Sequence, residues 1–177
     1  MRLEEIDRAT QERIVARLEA AIPGAKALPF LCAVATARPD VCHMQELTGR
    51  HPSTWASRFQ RAGVPSAKYY LAHMRLIRAH AMLASSLLVT LSDVTTALHF
   101  STTQAFCRHV YTYLGVAPTA WRLHITPDFM LDGFIQRAVL PYAATLAWFD
   151  PDADPRAHRM MVLAHAGRPR QPMARVA

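Results

Sequence analysis

Gln104 and Arg108 stand one helical turn apart in the run STTQAFCRHV, and both side chains suit the reading of base edges. A glutamine amide matches the donor and acceptor of adenine, and a guanidinium forks onto the two acceptors of guanine. A good pair of either kind is worth about 1–3 kcal/mol of discrimination. Thr103 and Cys107 lie in the same stretch. An earlier group, Ser53, Ala56 and Ser57, has similar spacing but thinner chemistry, since alanine touches only a thymine methyl and serine bonds to any base. The later group is therefore expected to specify and the earlier one mainly to position.

Charge supports a polyanionic partner. The formal charge is +7 with a pI near 9.9, and its distribution is uneven. Residues 1–25 carry four Arg against five acids, residues 26–122 ten Lys/Arg against three, and residues 123–177 six Arg against five Asp. The excess sits in the middle segment, where neutralising phosphates would release counterions. Within it Arg58, Arg61, Lys68 and Arg78 are the expected phosphate contacts.

The elements that would position these residues read as helices. Leu3, Ile6, Ile14, Leu18 and Ile22 form one apolar stripe ending at Pro23-Gly24, which predicts an amphipathic helix. A second helix is expected over about 27–37, ahead of Pro39. Segments 41–63 and 91–115 each read as short helix, tight turn and second helix. His51 and Ser101 stand just before the second helices, and Gly115 closes the later one. A helical run over 66–85 joins them, with Leu71, Met74, Ala81 and Leu83 facing inward. At 20 residues it would span roughly 30 Å, close to one turn of DNA. One more helix is expected over 127–149, bent near Pro141, followed by a frayed basic tail bearing Arg168, Arg170 and Arg175. The fold class is all-α: two helix-turn-helix subdomains on a long linker helix, with extra terminal helices. The parts are 1–25, 26–123 and 124–177.

Ser66-Ala67-Lys68-Tyr69-Tyr70-Leu71, Arg75-Leu76, Ala79 and Met82-Leu83, then Phe100-Ser101, Phe106, Arg108, Gly115, Pro118 and Trp121-Arg122, form a recurring pattern. With Gly49 through Trp55 and Arg58-Phe59 to Gly63, it resembles the DNA-binding domain of the AraC/XylS family of transcription regulators over about residues 27–123. That resemblance implies two recognition helices in successive major grooves, with base contacts at Ser53, Ala56, Ser57, Thr103, Gln104 and Arg108. His99 stands where the family usually has glycine, Thr95 replaces a small apolar residue, and Ala67 and Ala117 each replace part of a Ser-Pro pair.

Other chemistry finds little footing. His73 and His80 fall seven apart without HExxH or matched Cys/His spacing, and Cys32, Cys42 and Cys107 show no CxxC, so neither a metal nor a disulfide framework is expected. GxSxG, Walker and GxGxxG motifs are absent, so no enzyme and no cofactor are expected. The start lacks an apolar leader, and Asp132, Gln136, Arg137 and Pro141 interrupt the most apolar late stretch. A cytoplasmic regulator is expected, with double-stranded DNA and RNA polymerase as partners. The terminal helices are expected to cap the domain or to form a homodimer interface. The alternative is an interaction protein of the same fold that binds another regulator through 129–149 and DNA only nonspecifically.

Overall fold

The computed structural model describes residues 2–36 and 51–165, which are helical with no strand among them. Helix α1 is Leu3–Ala21, α2 Leu28–Thr36, α3 Pro52–Ala62, α4 Ala67–Ser85, α5 Leu91–Ala97, α6 Thr103–Leu114, α7 Pro118–His124, α8 Pro127–Phe134, α9 Ala143–Trp148 and α10 Pro155–His165. The expected first helix of the 41–63 segment, its turn at 48–50, Cys42 and the Arg168–Arg175 tail lie outside the described residues.

Local chemistry sets the ends of these helices. The His51 ring accepts from the Ser53 amide and Gly63 takes a left-handed conformation, so α3 is capped at both ends. Ser66 caps α4. Thr90 and Asp93 form a reciprocal capping box that starts α5. Thr102, rather than Ser101, caps α6 through its hydroxyl to the Ala105 amide, and Gly115 ends that helix at φ 69°. Between α8 and α9 the chain widens into a π turn over Ile135–Val139 and tightens into a 3₁₀ turn over Leu140–Tyr142. Pro141, which has no N–H to donate, lies in the tight turn and accounts for the expected bend.

Two hydrophobic cores share α4. The first gathers Ile14, Leu18, Phe30, Leu31, Trp55 and Phe59 around Tyr70, Leu71, Met74 and Ile77, and Leu131 through Phe149 closes it. The second gathers Val94, Leu98, Phe106, Val110 and Trp121 around Leu76, Ala79, Met82 and Leu83. Each fully buried Leu, Ile or Phe contributes about 1.5–3 kcal/mol of transfer free energy. The inward residues expected for the linker helix are buried, except Ala81, which is half-buried.

The terminal helices form a cap on the chain's own body. The stripe of α1 packs against α4, α2 and the π turn, and Arg13 and Arg17 pair with Asp128 and Asp132 across it. The apolar stripe of α1 is thereby covered within one copy, while Phe129 and Leu140 of the later segment stay exposed. The segment after Pro151 departs from the expected frayed tail. Asp154 accepts from the Arg156 and Ala157 amides and so starts α10. His165 stacks on Trp148 at 4.1 Å, and His158 meets the Phe149 ring at 6.0 Å. No helix among the described residues is long and apolar enough to cross a membrane.

Candidate nucleic-acid interface

Helices α5 and α6 are joined by a turn of five residues whose first three amides are hydrogen-bonded back to α5. The Leu98, His99 and Phe100 amides donate to Val94, Thr96 and Thr95, and His99 has φ 52°. Histidine thus takes the left-handed conformation that glycine adopts more cheaply. Arg75 of α4 braces the same turn, donating to the Leu98 carbonyl at 2.5 Å and lying 3.3 Å over the Phe100 ring. Thr95 is accommodated because its hydroxyl donates to the Leu91 carbonyl at 2.6 Å.

Helix α6 is fixed from one side and open on the other. Phe106 and Val110 are fully buried, whereas Gln104 and Arg108 are exposed one turn apart, with Thr103 and Cys107 half-buried beside them. Cysteine and glutamine here are therefore held by a rigid helix rather than by a loop. Helix α3 is built likewise: Trp55 and Phe59 point into the first core, where Phe30 touches both rings. Ser53 and Ala56 are exposed and Ser57 is half-buried, its hydroxyl donating to the Thr54 carbonyl at 3.0 Å. Ser53 shares its hydroxyl with the His51 ring at 2.8 Å.

Two of the four expected phosphate contacts are corrected. Arg58 is buried and donates to the Pro151 carbonyl, which ties α3 to the segment leading into α10. Arg78 is buried and makes two 2.6 Å bonds to Asp7, with a longer one to the Ala35 carbonyl. Both hold helices together and cannot reach a phosphate. Arg61 and Lys68 are exposed. Arg122 is also structural, since its guanidinium donates to the Val89 and Ser86 carbonyls and holds the loop after α4.

Helix α10 adds residues that sequence reasoning missed. It lies along α3 and forms a cleft of about 520 Å³ with it. Ser53, Ser57 and Arg61 line the α3 wall, and His158 and Arg159 line the facing wall. Ser53 and Ser57 of the earlier reading group thus face α10 across the cleft, whereas Gln104 and Arg108 line no part of it. Burial lowers the His158 pKa first, then Arg58 and Arg61, while Asp150 opposes the shift. The start signal for α10, an aspartate followed by proline at 154–155, stands in the sequence. No metal-binding group of His, Cys, Asp and Glu occurs among the described residues. No family model, curated protein or solved structure matches the chain.

Proposed function

We propose that this protein is a DNA-binding transcription regulator of the AraC/XylS type, reading bases chiefly with α6. The observation that carries the reading is the pairing of exposed Gln104 and Arg108 on a helix anchored by buried Phe106 and Val110, directly after a braced turn. Rigid presentation of this kind matters because base contacts fail when the supporting helix is loose. Arg61 and Lys68 supply phosphate contacts, and the basic excess of residues 26–122 draws the molecule to the duplex. The sequence resemblance adds RNA polymerase as the partner through which binding would act, in the cytoplasm of a bacterial cell.

The position of α10 supports a division of labour between the two reading helices. A helix needs a free face to enter a major groove, and the Ser53–Ser57–Arg61 side of α3 has α10 beside it. On this reading α3 positions the protein weakly while α6 specifies. The test is selection of bound duplexes from a random DNA pool at near-physiological salt. The reading expects enrichment of one block of bases. Recovery of an unbiased pool from folded protein would reject it in favour of a protein-interaction regulator with nonspecific DNA affinity.

A further inference from the structure

The walls of the α3–α10 cleft carry both cationic and apolar side chains. Arg61 and Arg159 line it and are exposed, Arg58 lines it and is buried, and none of the described residues lining the cleft is acidic. The nearby acids Asp150, Asp152 and Asp154 sit in the loop before α10. Val162 and Leu163 also line the cleft and add an apolar surface. Its volume falls within the range of small-molecule sites.

A second observation points to a missing occupant. His158 lines the cleft and is only 3% exposed, yet neither ring nitrogen has a hydrogen-bond partner among the described residues. Its ring lies edge-on to Phe149, which offers no acceptor. Buried imidazoles are ordinarily satisfied at one nitrogen at least. A turn of the imidazole toward the cleft would let it donate to an acceptor oxygen placed there, and the guanidiniums lining the cleft would favour an anionic one.

We propose that the cleft between α3 and α10 binds a small amphipathic carboxylate, with Arg61 and Arg159 on the carboxylate, His158 donating to it, and Val162 and Leu163 against its apolar body. The site rests on the geometry of the cleft, although it shares Arg61 with the phosphate contacts of the DNA-binding reading. Inorganic phosphate would meet the same cations but leave the apolar side without a partner.

The test uses the full chain with three probes: cyclohexanecarboxylate, its uncharged amide, and inorganic phosphate. Calorimetry follows affinity, and the ring proton signals of His158 report occupancy. The proposal expects saturable one-to-one binding of the carboxylate with a shift of the His158 signals. It expects binding at least tenfold weaker for the amide, for phosphate, and for the Arg61→Ala/Arg159→Ala variant. Both arginines are exposed, so this variant should fold as the parent does, and circular dichroism checks it. Failure of the carboxylate to saturate, equal binding of the amide or of phosphate, or unchanged affinity in the double variant would overturn the proposal.

Discussion

Arg78 in α4 and Asp7 in α1 form a two-point ion pair, with both guanidinium–carboxylate contacts at 2.6 Å and the arginine side chain 5% exposed. A charge in that position serves the docking of α1 onto α4. Removing one partner leaves the other desolvated, which typically costs about 3–5 kcal/mol. Asp7→Ala and Arg78→Ala should each lower stability in urea by that order. The double variant should lose less than the sum of the two. Additive losses would mean that the pair is not coupled. Arg61→Ala, by contrast, should leave urea stability within about 0.5 kcal/mol of the parent, as surface changes usually do.

Gln104→Ala should relax the DNA preference at one base position and cost about 1–3 kcal/mol of specific affinity. Arg108→Ala should act at a neighbouring position. The two variants are compared on the selected duplex and on its single-base mismatches. If neither changes the preference, the reading surface lies elsewhere.

His99→Gly should raise stability by about 1 kcal/mol, because the left-handed backbone is cheaper for glycine than for a residue with a Cβ. The His99 side chain is exposed, so little packing is lost. His99→Val should destabilise, since a β-branched residue fits that conformation worst. Urea midpoints measure both, and a loss of stability on His99→Gly would show that the imidazole makes a contribution larger than the strain.

Acid should weaken the fold before the carboxylates titrate. Burial, and then the nearby Arg75, pull the His109 pKa from 6.5 down to about 4. His73, His80 and His158 shift in the same direction, each chiefly by burial. Below pH 6.5 the unfolded chain takes up protons that the folded chain refuses, so stability falls with pH. For His109 the loss begins near 6.5 and levels off below about 4. His109→Phe, which keeps a ring beside Phe100 and Tyr113, should flatten the pH dependence across that window. An unchanged slope would assign it to the other three.

Deleting residues 155–177 should free the Ser53–Ser57–Arg61 side of α3. The truncated protein should then select a duplex with two blocks about one helical turn apart, where the full chain selects one. A single block from both proteins would show that α3 contributes no base contact even when uncovered.

Much of this architecture was legible because its signals are local. Pro23-Gly24 after α1, Gly115 after α6, and the stripe of α1 each state an element boundary or face in a few residues. Residue type alone places Arg58 and Arg78 at the surface, whereas their positions place them inside. Arg58 follows Trp55 by three, and Arg78 follows Met74 by four, so each lies on the apolar stripe of its helix. Burial on a stripe is a property of packing, and it outranks the usual preference of arginine for solvent when a carboxylate or carbonyl waits inside. The docking of α10 on α3 was not legible at all. It depends on contacts such as His165 with Trp148 and Arg58 with Pro151, which join residues with no shared periodicity.

The sharing of α4 between the two cores also governs how the chain comes apart. Its first half is packed through Tyr70, Leu71 and Met74, and its second through Ala79, Met82 and Leu83. A lone helix of its length is marginal in water. Loss of either set of packing partners would strip half of the helix of its support and weaken the remainder. The two cores are therefore expected to unfold as a single cooperative unit, and the amides of α4 should exchange with solvent only on global opening, as hydrogen exchange would measure.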